Sequence, residues 1–264
     1  MHPILVQIGP LSIRYYSLMI IIGIVVGIFI ARSNMRLRGH SPDAVLDFIV
    51  YAVPAGIIGA RLYYVIFNWD YYGRNPSEIA AIWHGGLAIH GAIIAGVIVG
   101  FLFSRRKGFG FWELADSVAP ALILGQTFGR FGNFMNGDAH GVPTDLPWGV
   151  VFPPGTPAGN QYPDTPTHPV MIYELIINFL AFIFLWSIRK KHLPDGTHFL
   201  LYLSLYSIGR FFMEFFRGDS LMLGPLRMAQ IIGVAIVIGS SILLYRRYLM
   251  VKTGRTAKGK KRLR

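Results

Sequence analysis

Leu18-Met19-Ile20-Ile21-Ile22-Gly23-Ile24-Val25-Val26-Gly27-Ile28-Phe29-Ile30 runs thirteen residues without a charge. With its flanks, the apolar stretch covers about residues 15–31, near the roughly 20 residues a helix needs to cross a bilayer. Six further stretches of similar length follow, at about 44–67, 87–103, 112–130, 169–188, 198–216 and 228–245. None alternates polar and apolar residues continuously, as the strands of a membrane barrel would. Helices are the remaining way to satisfy a backbone in lipid. The first stretch lacks a basic region before it and has basic residues after it, so it reads as a span and not as a cleavable signal peptide.

Composition agrees. The 264-residue chain is 53% hydrophobic and 14% charged, against about 25% charged in an ordinary soluble domain. That balance argues against a soluble globule and against disorder. The absence of cysteine excludes a disulfide framework, a thiolate metal site and a cysteine nucleophile. A net charge of +12 would suit a nucleic-acid partner, but its distribution points to a membrane instead. The loops after the first, third and fifth stretches carry three basic residues each (Arg32, Arg36, Arg38; Arg105, Arg106, Lys107; Arg189, Lys190, Lys191). The N-terminal segment and the other loops carry one each, and nine lie beyond residue 245. This alternation predicts seven transmembrane helices with the N-terminus outside and the C-terminus in the cytoplasm. The expected organisation is an all-α integral membrane protein. Residues 1–245 form its seven-helix membrane domain, and 246–264 a basic cytoplasmic tail whose Lys252–Arg264 stretch faces anionic lipid. Residues 137–168, between the fourth and fifth spans, hold seven of the chain's 16 prolines. They are expected to form an outer cap, with a short strand at 148–152.

Charges inside membrane helices cost at least a few kcal/mol each, so each needs a reason. The sixth span carries Tyr202, Tyr206, Arg210, Glu214 and Arg217 on one face, with Arg210 and Glu214 spaced to pair. A structural ion pair is the plain reading; a guanidinium held by Glu214 and aimed at an anion is the functional one. The fourth span ends Gly129-Arg130-Phe131-Gly132-Asn133-Phe134-Met135-Asn136-Gly137-Asp138, a cation, two amides and a carboxylate beside glycines that admit close approach. Snorkelling of Arg130 would explain the arginine but not the neighbours. His84 and His90 flank a Gly-rich start to the third span, and His90 lies within the apolar run, where a proton-transfer role or simple packing both fit. His168-Pro169 opens the fifth span and is followed by Tyr173-Glu174. Arg14-Tyr15-Tyr16 opens the first span, and Arg61 late in the second calls for an acidic partner. The pairs Gly23/Gly27, Gly96/Gly100 and Gly125/Gly129 read as helix packing.

Combined with the orientation, these groups gather near the outer leaflet, with Asp47, Glu113 and Asp116 as inner-face exceptions. Several arginines at headgroup depth suit a phosphate-bearing lipid. No G-x-S-x-G elbow, H-E-x-x-H or Walker A loop is present, and no lysine sits mid-span. What remains is electrostatics plus a base: guanidiniums to offset a phosphate leaving group and a group to take a proton.

The run Gly129 to Gly141 closely resembles the signature of the bacterial prolipoprotein diacylglyceryl transferases, and so do His84–Gly91, His168–Glu174 and Tyr206–Arg217. That family usually has Glu where this chain has Asp138, one methylene shorter. The resemblance implies an enzyme that moves the diacylglyceryl group of phosphatidylglycerol onto the lipobox cysteine thiol of a preprolipoprotein. The products are a thioether and glycerol 1-phosphate, and the reaction takes place in the bacterial inner membrane with no metal, cofactor or nucleic acid. On this reading Arg130 and Arg210 clamp the phosphate, and Glu214 and Asn133 hold those guanidiniums or the headgroup. His90 takes or relays the thiol proton, with Tyr16 as second candidate for that role or for positioning, while Asn136, Asp138, Gly141 and Tyr206 shape the headgroup pocket. Arg61, Asp116, His168 and Glu174 are supports. A transporter would spread polar groups through the membrane depth and commonly show internal repeats; a lipoprotein chaperone would bind the same lipid without forming product.

Overall fold

The computed structural model describes residues 3–9 and 11–262, the side chains of residues 8, 11 and 252–262 excepted. The basic cluster expected to face lipid from residue 252 onward falls outside the described side chains. The protein is an all-helical membrane protein. A helix occupies each of the seven apolar stretches: α1 (Tyr15–Leu37), α2 (Ala44–Phe67), α4 (Ile89–Lys107), α5 (Phe111–Asn136), α7 (Val170–Ile188), α8 (Thr197–Met213) and α9 (Met228–Arg262). Short helices α3 (Trp69–Tyr72) and α6 (Pro157–Gln161) lie in the connections. Two small antiparallel hairpins, β1 (Ile4–Ile8) with β2 (Leu11–Arg14) and β3 (Met222–Leu223) with β4 (Leu226–Arg227), precede α1 and α9.

Among the described residues six helices are long and apolar enough to cross a membrane; α5 is the exception. The reason lies in its surroundings. Leu114, Asp116, Ser117, Ala119, Ile123 and Thr127 of α5 are all buried, so its polar side chains meet protein and its outer surface needs less apolar cover. On α2, by contrast, Val50, Ile58 and Ile66 are 67%, 59% and 65% exposed, an apolar exterior that lipid solvates and water would not.

Two compact units make up the chain, Met1–Ala31 with Asp116–Arg264, and Arg32–Ala115. In the first, α5, α7 and α8 enclose a core of Ala119, Ile123, Ala181, Leu185, Ile188 and Tyr202. Gly23 of α1 sits against Gly125 of α5, where an added Cβ would lie 3.4 Å from the Gly125 Cα, and Gly27 faces Ala121. Asp116 accepts hydrogen bonds from the backbone N–H groups of Gly196 (2.8 Å) and Phe199 (2.9 Å). A carboxylate thus caps the N-terminus of α8 and stabilises its dipole.

In the second unit α2 and α4 cross at Gly59 and Gly91, each filling the space where the other's side chain would be. Of the Gly96/Gly100 pair only Gly100 packs closely, an added Cβ lying 3.4 Å from the Phe111 ring and 3.8 Å from that of Phe48, while nothing lies within 4 Å of one on Gly96. Arg61 is the unit's buried cation. Its expected acidic partner is replaced by backbone carbonyls: Ile79 (2.9 Å), Gly85 (2.6 Å), Gly86 (3.0 Å), Ala81 (3.3 Å) and Glu78. The guanidinium also stacks over Tyr72, 5.0 Å from the ring centre.

Two boundaries differ from the sequence reading. Residues 148–152 form no strand; Val150 makes a single bridge to Thr167. Helix α9 runs unbroken past residue 245, because no proline follows the apolar stretch to stop it.

Candidate active site

The residues that carry the site sit on α5, α7 and α8 and on the segments that leave them, all in the first unit. Helix α5 continues six residues past Arg130, to Asn136, before Gly137 ends it at φ +70°. Arg130 and Asn133 therefore share a helix face at i, i+3. The Arg130 Nη1 donates to Asn133 Oδ1 (3.3 Å), and Asn133 Nδ2 donates to Asp138 Oδ1 (2.8 Å). Asp138 in turn donates its backbone N–H to the Asn133 carbonyl (3.2 Å). The next residue, Ala139, has φ +57°, a left-handed conformation that L-residues adopt at a cost of about 1–2 kcal/mol.

Glu174, one turn into α7, is the centre of the cluster. Its carboxylate receives Arg130 through Nε, Arg210 through Nη1 at 2.7 Å, and Arg217 through Nη1 at 3.4 Å. The second nitrogen of Arg210 pairs with Glu214 at 2.7 Å, and that of Arg217 with Asp219 at 2.7 Å. Glu174 and Glu214 are buried, their side chains 5% and 1% exposed, while those of Arg130 and Arg210 keep 18% and 20%. A guanidinium has five N–H donors. Both arginines spend part of theirs on acids and Asn133 and retain N–H groups on their open side. Arg130, Arg210 and Arg217 are balanced by Glu174, Glu214 and Asp219, so what suits the site to an anion is the N–H groups that Arg130 and Arg210 keep free on their open side.

Tyr16 of α1 lies against Gly132 of α5. A Cβ there would come within 2.8 Å of the Tyr16 ring and 3.0 Å of its Cα. Gly141 is pressed as tightly: its N–H donates to the His168 carbonyl (3.1 Å), and a Cβ would meet that oxygen at 2.5 Å. It also bridges to Arg217. His168 joins a polar roof in which Trp148 Nε1 donates to Tyr173 Oη (2.7 Å), which lies 3.3 Å from His168 Nδ1. Phe152, Ala158 and Met171 form a small core beneath the 137–168 segment. Tyr206 lies one turn before Arg210, and the Asn136 Oδ1 is enclosed without a hydrogen-bond partner among the described residues.

His84 and His90 lie in the other unit. His84 Nδ1 is 2.8 Å from Glu78 Oε2, and the exposed His90 ring stacks on Tyr63 at 5.6 Å. Sequence reasoning treats Glu174 as a support and leaves Arg217 without a partner; the structure makes the one a hub and the other its third cation. The signal for Glu174 is its depth alone, an acid inside a helix otherwise without charge.

What the arrangement can do is hold an anion against two partly open guanidiniums whose geometry is locked by buried carboxylates. Comparison with known proteins gives this chemistry a lineage. Residues 3–246 match the family model for prolipoprotein diacylglyceryl transferase. A phosphatidylglycerol–prolipoprotein diacylglyceryl transferase of Bacillus mycoides (strain KBAB4) is 44% identical over 243 residues, covering 91% of this chain and 90% of the relative. The proteins of the same name from Bacillus cereus (strain G9842) and Bacillus anthracis are each 44% identical over 241 residues, covering 90% of this chain and 89% of theirs. The chain belongs to the prolipoprotein diacylglyceryl transferase family.

Proposed function

We propose that this enzyme transfers the diacylglyceryl group of phosphatidylglycerol to the lipobox cysteine thiol of a preprolipoprotein. The sulfur attacks the glycerol carbon that bears the phosphate. A C–S bond forms as the C–O bond breaks, and glycerol 1-phosphate leaves with the oxygen. The observation that carries this reading is the convergence of Arg130, Arg210 and Arg217 on Glu174. Arg130 and Arg210 bind the phosphate and offset the charge that grows on it as it leaves. Glu174, Glu214 and Asn133 fix the guanidiniums, so little reorganisation accompanies the reaction. Asp138 holds Asn133, and Asn136, Gly141 and Tyr206 border the headgroup. His90 takes the thiol proton, with Tyr16 as the second candidate.

The charge alternation supports seven spans with the N-terminus outside, α5 being the one enclosed by protein. In that orientation the arginine cluster lies at the outer leaflet of the bacterial inner membrane. Residues 137–168 then cap it from outside, and 246–264 form the basic cytoplasmic tail.

The test is reconstitution. Purified protein in phosphatidylglycerol vesicles, given a lipobox peptide, yields a peptide heavier by one diacylglyceryl group and releases glycerol 1-phosphate. Absence of both products from folded protein overturns the reading. The His90→Gln variant should lose about 100-fold in rate; an unchanged rate across pH reassigns the base.

A further inference from the structure

Each of the three helices that meet at the ion cluster carries a second polar residue one turn deeper. On α5 it is Gln126, four before Arg130; on α7 it is Asn178, four after Glu174; on α8 it is Tyr206, four before Arg210. One turn is about 5.4 Å. The three positions are bracketed on both sides by residues that meet: the ion pairs above, and below them the core of Ile123, Ala181 and Tyr202. They therefore form a layer between the guanidiniums and the apolar core.

This layer is not internally satisfied. Asn178 is 4% exposed, and its amide nitrogen is enclosed with no hydrogen-bond partner among the described residues. Gln126 Nε2 donates to Tyr202 Oη (3.1 Å), and its Oε1 is enclosed and unpartnered. Interchanging the Gln126 amide atoms moves the deficit from one atom to the other without removing it. A buried amide without a partner costs about 1–3 kcal/mol, and it sits on the face that looks into the cluster. No ionised group lies at this level on the three helices, so what it meets is polar and neutral.

Resting on the proposed diacylglyceryl transfer, we infer that Asn178, with Gln126 and Tyr206, forms a subsite for the glycerol ester region of the bound lipid. The phosphate occupies the guanidinium layer. The three-carbon glycerol unit descends from it, and the acyl ester carbonyls reach the layer below. Ester carbonyls accept hydrogen bonds and never donate them, which is what the Asn178 amide nitrogen requires; the Tyr206 hydroxyl can donate too, and so can Gln126 with its amide turned so that the nitrogen faces the layer. The chemistry of transfer does not touch the esters, so this subsite sets lipid selectivity and the position of the reacting carbon.

The experiment compares diacyl phosphatidylglycerol with its dialkyl ether analogue, which keeps the phosphate and the reacting carbon but lacks the carbonyls. The wild-type enzyme should transfer both groups, with KM about tenfold higher for the ether lipid. In Asn178→Leu, KM for the diacyl lipid should rise toward the ether value, with KM for the ether lipid and for the peptide unchanged. Asn178→Ala, which removes the donor without adding a charge, should reproduce the effect. Equal losses on the two lipids, an unchanged diacyl KM, a change confined to peptide KM, or a wild-type enzyme that does not distinguish the lipids would each overturn the subsite while leaving transfer standing. No transfer from either lipid by the folded wild-type protein would instead overturn the parent reading.

Discussion

Arg210 on α8 and Glu174 on α7 are joined at 2.7 Å across 36 residues of sequence, and the same arginine closes a second ion pair of 2.7 Å to Glu214, four residues on. One guanidinium is thus held from two directions by carboxylates that water barely reaches. That fixes its plane. A side chain so fixed can offset charge on a leaving phosphate without first rearranging, which a freely rotating arginine could not.

Glu174 should prove important to stability and indispensable to turnover. Removing one member of a buried ionic network costs about 3–5 kcal/mol, because the partners remain charged and buried. Glu174→Ala leaves three guanidiniums facing one another. Thermal unfolding of the purified variant in detergent should show a clear loss of stability, and transfer should be abolished. A variant with wild-type stability and rate would remove Glu174 from the centre of the site.

Arg130→Lys should behave almost as badly as Arg130→Ala. The native side chain reaches Glu174 through Nε and Asn133 through Nη1, and an ammonium cannot reproduce that fork. A loss of about 10²–10³-fold in kcat is expected. Near-normal turnover in the lysine variant would mean that charge alone suffices and the fork has no role.

How much of this is legible in the sequence follows from distance along the chain. The Arg210–Glu214 pair can be read because helical spacing is local, and the signature around Arg130 can be read because its members are consecutive. The bond from Arg217 to Glu174 spans 43 residues, and no periodicity links the two. Arg61 misleads for a different reason. Its partners are main-chain oxygens of residues 78–86, and a carbonyl leaves no mark in a sequence. The α2–α4 crossing stays hidden because Gly59 and Gly91 sit one on each helix, whereas a GxxxG search looks along a single helix.

Arg61→Lys therefore tests the carbonyl cage directly. An ammonium has three donors against five in the guanidinium, so several of the carbonyls would be left unpaired at about 1–3 kcal/mol each. Amide hydrogen exchange across residues 76–88 should accelerate, while exchange in α7 and α8 stays slow. Unchanged protection in that segment would show that the turn holds itself together and that the arginine is incidental.

Asp138→Glu installs the residue usual in the family. Here Asp138 reaches Asn133 at 2.8 Å from just past the end of α5, and a glutamate must fold back by one methylene to make the same bond. Transfer should fall by no more than about threefold, since a flexible acid can still accept from the amide. Asp138→Ala should cost about tenfold, because Asn133 loses the acceptor that aims it at Arg130. Equal activity in the alanine variant would detach Asp138 from the site.

Gly132→Ala probes whether Tyr16 is held by packing. The new methyl would sit 2.8 Å from the tyrosine ring and 3.0 Å from its Cα. A ring can swing aside, but a Cα belongs to the backbone of α1, so the helix itself must move. Overpacking of this kind costs about 1–3 kcal/mol, and the displacement falls between Arg130 and Asn133, so transfer should drop with stability. Combining Gly132→Ala with Tyr16→Ala relieves the clash with the ring and keeps the clash with the α1 backbone. The pair should consequently be non-additive in unfolding temperature, with the double variant recovering part of the loss but not all of it. Strict additivity would mean that the two residues do not touch.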